Sequence, residues 1–190
     1  LGVAGILLAL VLALLATKVA VPERPWAVYA IPLATGTILV SNLVDSRLAI
    51  VLAAFQALLL APVYGGNPEP VTLAFTTGVV GALAARRIER IHTFFVAGLQ
   101  VIVAGLAVLV AYRIPVTDYD WVGAAPLVLA LFANGALTAL LALGVSALAG
   151  AVFGAATTLR LLELAHPTQP LLRRLLLEAP GTYHHSITVA

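Results

Sequence analysis

Residues 121–156 read WVGAAPLVLALFANGALTALLALGVSALAGAVFGAA, a run without a single charged side chain. A bilayer core takes about 20 apolar residues per helix. The run is therefore too long for one upright crossing and short for two. How it is read decides the topology, and the arginines decide how it is read. With one crossing, Arg47, Arg86, Arg87, Arg90, Arg160, Arg173 and Arg174 share one side. Lys18, Arg24 and Arg113 share the other. Arg and Lys accumulate on cytoplasmic loops, so the larger group marks the cytoplasmic face. A hairpin would move Arg160, Arg173 and Arg174 to the sparse side. One crossing is preferred, with its last turns kinked or running along the inner surface.

Five further apolar blocks precede it. With the sixth they give crossings at about 1–21, 26–44, 48–64, 71–87, 91–112 and 122–157. The fold class expected is all-α, a polytopic helical membrane bundle of six crossings over residues 1–158. Composition agrees: 62% of the residues are hydrophobic and 9% charged, with a mean hydropathy of +1.10. Soluble domains run near half apolar and a quarter charged, so a soluble monomer and a disordered chain are both excluded. Strands are excluded because the apolar positions are consecutive, where a membrane barrel alternates.

The connections are short and rich in breakers: Pro22 to Pro25, Asp45 to Arg47, Gly65 to Pro70, Arg86 to Arg90, and Arg113 to Asp120. Short loops place successive helices side by side and antiparallel. There is no Cys, so disulfides and thiolate metal sites are excluded. There is no Met either, and the chain reads as a piece of a longer one. A net charge of +2 gives no argument for nucleic acid.

No charged residue falls in mid-span, which counts against an ion-coupled transporter. The mid-span polar residues are Gln56, Gln100 and Asn134. They read either as a small-ligand pocket or as hydrogen-bonding glue between helices. Asn134, Thr138, Ala142, Ser146, Gly150 and Gly154 recur every fourth position, a slanting stripe of small or polar groups for helix packing. Such a stripe serves a homodimer seam, a sliding helix, or ordinary packing within the bundle. Trp26, Tyr29, Tyr64, Tyr112, Tyr119 and Trp121 flank the outer span ends, as an interfacial aromatic belt does.

After residue 158 the composition changes. Residues 159–179 read as a cytoplasmic linker helix, with Thr168 as a cap, Pro170 in the first turn and Leu171, Leu172, Leu175 and Leu176 on one face. Pro180-Gly181 is a turn signal. Thr182 can cap a helix that opens with His184 and His185. Adjacent helical His side chains diverge by about 100°, so the pair is not a joint grip on one metal.

The run Pro170-Leu-Leu-Arg-Arg-Leu-Leu-Leu-Glu-Ala-Pro-Gly-Thr-Tyr-His-His-Ser186 closely resembles the bacterial seven-transmembrane HD-domain phosphohydrolases. Leu161-Leu-Glu-Leu164, Ile31-Pro-Leu33, Leu43 to Ile50, the basic Arg86 to Arg90 loop and Phe132-Ala-Asn-Gly135 resemble the same family. The resemblance implies an extracellular sensor domain, seven helices and a cytoplasmic HD domain that hydrolyses cyclic di-AMP at a pair of divalent metals, manganese or iron. The six crossings would be the second to seventh, with both ends of the chain in the cytoplasm of a bacterial cell. Residues 180–190 would open the HD domain. By resemblance His185 is its first metal ligand, and His184 a neighbouring contact to the metal site or the substrate. The remaining ligands are not among these 190 residues, so this stretch alone is expected to bind no metal and to be inactive. The expected partners are membrane lipid, cyclic di-AMP for the full-length protein, and a second copy of the chain in a homodimer. The alternatives are a ligand-binding or transport bundle and a passive membrane anchor that dimerises the enzyme.

Overall fold

The computed structural model describes residues 26–87, 90–114 and 121–153, with residues 178 and 181 beyond them. Every regular element among the described residues is a helix. They comprise α1 (Ala27–Ala30), α2 (Ala34–Leu43), α3 (Ser46–Val63), α4 (Pro68–Ala84), a 3₁₀ turn (Ala85–Arg87), α5 (Ile91–Arg113) and α6 (Trp121–Phe153). The chain divides into two compact units, Leu1–Ser146 and Ala147–Ala190. All packing described below belongs to the first.

Local chemistry sets the helix ends. Asp45 caps α3, its carboxylate accepting from the Arg47 and Leu48 amides at 2.7 and 3.4 Å. Gly65 and Gly66 take φ of +62° and +80°, a turn that residues with a Cβ resist. Asn67 then caps α4 by accepting from the Glu69 amide at 3.1 Å, and Pro68 occupies the first turn where no N–H is needed.

Three described helices are long and apolar enough to cross a membrane: Ser46–Val63, Ile91–Arg113 and Gly123–Ala149 within α6. Six crossings are therefore more than the described residues support. The first block lies outside them. The second, expected to run unbroken over 26–44, is two helices. Pro32 has no N–H to donate and forces the preceding residue to extend, and Ile31 sits at φ −75°, ψ 120°. The fourth block forms a helix of 17 residues, Pro68–Ala84, before the chain tightens into the 3₁₀ turn. The 36-residue apolar run forms no hairpin in its described part: α6 is continuous for 33 residues.

The short fourth helix is central. α4 packs against α2, α3 and α5. Its small residues allow this, for a Cβ on Gly78 would stand 2.9 Å from that of Ala53 on α3. The outer faces stay apolar. Val51, Leu58, Leu99, Val103 and Leu129 are all exposed, as lipid-facing side chains are in a bundle without a polar exterior.

Candidate functional site

The interruption at Pro32 creates the site. In an unbroken helix the Tyr29 carbonyl would accept from the Leu33 amide, and that of Ile31 from the Thr35 amide. Here the Leu33 amide turns to the Ile31 carbonyl at 2.9 Å, and the Thr35 amide to that of Pro32 at 3.1 Å. The Tyr29 carbonyl has lost its helical donor, and no water reaches the interior of a membrane bundle from the lipid. Asn134 of α6 replaces it. Its Nδ2 donates to the Tyr29 carbonyl at 2.9 Å and to the Ile31 carbonyl at 2.8 Å. Its Oδ1 accepts from the Thr138 hydroxyl at 3.3 Å. Asn134 and Thr138 are both buried. The carboxamide is spent on both sides, and it fastens α6 to the gap between α1 and α2.

A charged cluster stands beside this latch. The Tyr29 hydroxyl donates to Glu69 Oε1. Arg113 Nη2 lies 2.9 Å from the same oxygen and 3.3 Å from the Tyr29 hydroxyl. The elements place these groups together: Tyr29 is on α1, Glu69 in the first turn of α4, and Arg113 ends α5. Thr72 and Tyr112 pair through their hydroxyls at 2.9 Å between the same two longer helices. The first reading of Tyr29 as part of an interfacial belt is corrected here. It is 4% exposed, and its ring packs in a core cluster with Leu73, Val108 and Leu131. Glu69, expected in a loop, is buried in a helix.

The four-residue stripe is found on the buried face of α6 as far as its side chains are described. Asn134, Thr138, Ala142 and Ser146 are each 4% exposed or less. Ser146 Oγ accepts from Asn42 Nδ2 at 3.3 Å, tying α6 to the far end of α2. The Gly150 side-chain environment and all of Gly154 lie outside the described residues, as do His184 and His185. Of the other mid-span amides, Gln100 is exposed and Gln56 is buried.

One contact escaped the stripe. α5 and α6 come close at Gly98 and Gly135, where a Cβ on either residue would stand 2.6 Å from the carbonyl oxygen of the other. Gly135 follows Asn134, so the approach that only glycine permits also sets the reach of the latch. Among the described residues no three His, Asp or Glu side chains gather into a metal site.

The sequence has relatives. Residues 2–157 match the family model described as 7TM receptor with intracellular HD hydrolase. The chain belongs to this family. It is 30% identical over 172 residues to the cyclic-di-AMP phosphodiesterase PgpH of Bacillus subtilis, covering 85% of this chain and 24% of that protein. It is 51% identical over 59 residues to PgpH of Listeria monocytogenes, covering 31% of this chain and 8% of the relative. An uncharacterised protein of Synechocystis is 40% identical over 70 residues, 37% of this chain and 9% of that one. The chain thus spans at most about a quarter of the length of these relatives. No solved structure matches it.

Proposed function

We propose that these residues are the membrane sensor and transducer region of a metal-dependent cyclic di-AMP phosphodiesterase, coupling an extracellular domain to a cytoplasmic HD domain. The observation that carries this reading is the 30% identity with the Bacillus subtilis phosphodiesterase across 85% of the chain. The arginine distribution supports an orientation with both ends of this stretch in the cytoplasm of a bacterial cell. Six crossings, the second to seventh of seven, remain the topology that fits this orientation. The reading also includes a homodimer, though not through Asn134, Thr138, Ala142 and Ser146, which are buried within this chain's own bundle.

Within this reading α6 is the transmitting element. It is fastened to α1 and α2 at Asn134 and again at Ser146. Twelve residues of helix separate the two, about 18 Å. A stimulus that loosens the upper fastening frees α6 to slide or tilt, and the movement passes through the 159–179 segment. His185 is proposed as a metal ligand, with His184 beside it as a contact to metal site or substrate. Manganese or iron would activate the attacking water and neutralise phosphoryl charge when bound. These 190 residues by themselves are proposed to be inactive, since one histidine does not hold a metal pair.

The test is manganese-dependent hydrolysis by the full-length protein, with cyclic di-AMP and cyclic di-GMP compared and His185→Ala as control. Cleavage of cyclic di-AMP that vanishes in the control is the expected result. Absence of cleavage of either dinucleotide by folded, metal-loaded protein would remove the reading.

A further inference from the structure

The two ends of the bundle spend their charges differently. At one end Arg113 is held by Glu69 at 2.9 Å. At the other lie the turn Asp45 to Arg47 and the connection Arg86 to Arg90, with four arginines and two carboxylates between them. Packing brings these two segments to one level. Ala49 of α3 and Ala82 of α4 cluster with Val40 of α2. The Ser41 hydroxyl of α2 donates to the Ala82 carbonyl at 2.7 Å. Ala85 clusters with Ile38 of α2 and Phe94 of α5. Arg47 stands just before Ala49, Arg86 just after Ala85, and Arg90 one turn before Phe94.

Arg47, Arg86 and Arg90 are exposed, and among the described residues no ion pair involves them. Asp45, the acid beside Arg47, is turned to the Arg47 and Leu48 amides. Exposed apolar side chains border each arginine. Val44, Leu48 and Val51 flank Arg47, Leu83 stands before Arg86, and Ile91 and Phe95 follow Arg90. Side chains of this kind on a membrane helix meet acyl chains, and a cation at the end of such a stretch reaches the headgroup level. The phosphate found there is the complementary anion, and arginine grips phosphate through two parallel N–H bonds. Arginine clusters next to spans attract anionic lipid in this way. A soluble nucleotide or an acidic protein would match the charge alone. A lipid matches the charge and the apolar border together. We infer that Arg47, Arg86 and Arg90 form a surface that holds the headgroups of anionic phospholipids.

The surface stands apart from the phosphodiesterase reading, and the failure of either leaves the other in place. Its test uses the full-length protein in phosphatidylcholine bilayers that carry a photo-crosslinking phosphatidylglycerol or, at equal mole fraction, a photo-crosslinking phosphatidylcholine. Crosslinks to segments 44–51 and 83–96 are counted by peptide mass. The anionic lipid should be favoured there about fivefold, the effect of one arginine close to a charged headgroup. The preference should fall toward parity at high salt, where the screening length shrinks to about 3 Å. It should also vanish when Arg47→Gln, Arg86→Gln and Arg90→Gln are combined, and survive the matching triple change to lysine. Equal crosslinking of the two lipids to the unaltered protein would overturn the surface. So would a preference that the glutamine variant keeps, or one that soluble glycerol phosphate abolishes at the concentration of the lipid, which would mark a site for free anions. Should the glutamine variant fail to insert, the salt dependence of the unaltered protein decides, and a preference unmoved by salt overturns the proposal.

Discussion

Asn134 and Gln56 are the same functional group in two settings. Each is a buried carboxamide in mid-span on an otherwise apolar helix. Asn134 uses both donors and its acceptor within the protein. Gln56 uses none. The difference arises in what stands opposite. Asn134 faces a backbone that Pro32 has opened, with carbonyls in need of donors. The face of α3 that carries Gln56 meets regular turns of neighbouring helices, where backbone groups are already paired. A carboxamide in a membrane bundle is thus structural or available according to the backbone it meets.

The strongest way to break the comparison is Asn134→Leu. It keeps the branched shape of the side chain but removes the donors to the Tyr29 and Ile31 carbonyls. An unsatisfied buried carbonyl costs about 1–3 kcal/mol, while single interhelical bonds in membranes measure about 0.6–2 kcal/mol. The Ile31 carbonyl retains the Leu33 amide, so Tyr29 carries most of the penalty. A loss of about 2–3 kcal/mol is expected in chemical denaturation of the purified protein. A smaller effect than that of Gln56→Leu would reverse the comparison. On the proposed function, the same variant in the full-length protein should uncouple hydrolysis from the stimulus while leaving metal binding intact.

Next comes Gly135→Ala, which leaves the carboxamide in place and displaces the helix that carries it. The added methyl meets the Gly98 carbonyl oxygen at 2.6 Å. Overpacking of this kind costs about 1–3 kcal/mol. α5 and α6 must separate, and the Asn134 bonds to α1 lengthen with them. Double substitution with Asn134→Leu should therefore cost less than the two single losses added together, as coupled neighbours do. Strict additivity would separate the glycine contact from the latch.

Glu69→Gln sharpens the comparison by turning a charged contact beside the latch into another carboxamide. A fully buried ion pair loses about 3–5 kcal/mol when one partner is removed. Here Arg113 is a quarter exposed and can turn to solvent, and Gln can still accept from Tyr29. About 1 kcal/mol is expected, and most of it should disappear in an Arg113→Gln background. An undiminished loss there would mean that Glu69 acts through Tyr29 alone.

Much of this was legible in the sequence, and the illegible part has a physical reason. Long uncharged runs gave the helical class and the lengths of α3, α5 and α6. The Ile31-Pro32-Leu33 break was present in the letters, yet the apolar residues around it read as one crossing. Periodicity failed to tell the inward face from the outward one because both are apolar: on α3, Phe55 is exposed and Leu60 buried. Asn134 stood out as polar, but its partners are backbone carbonyls over 100 residues away. Tyr29, Glu69 and Arg113 each matched a local rule for belts, loops or helix ends. Only the folded chain brings them together.

Gln100 supplies the control and the smallest expected effect. It is also a mid-span carboxamide, on α5, and from sequence it had the same two readings as Asn134 and Gln56. It is exposed, between the exposed Leu99 and Val103. No buried backbone depends on it, and its removal opens no space in the core. Gln100→Leu should therefore change stability by no more than about 0.5 kcal/mol, the usual range for a surface position. Its sign should favour the variant, because leucine is the better neighbour for lipid. A loss equal to that of Asn134→Leu would show that polarity in mid-span matters wherever it points. The expected near-zero result ties the cost to the backbone that each carboxamide faces, which is the distinction between Asn134 and Gln56 in its simplest form.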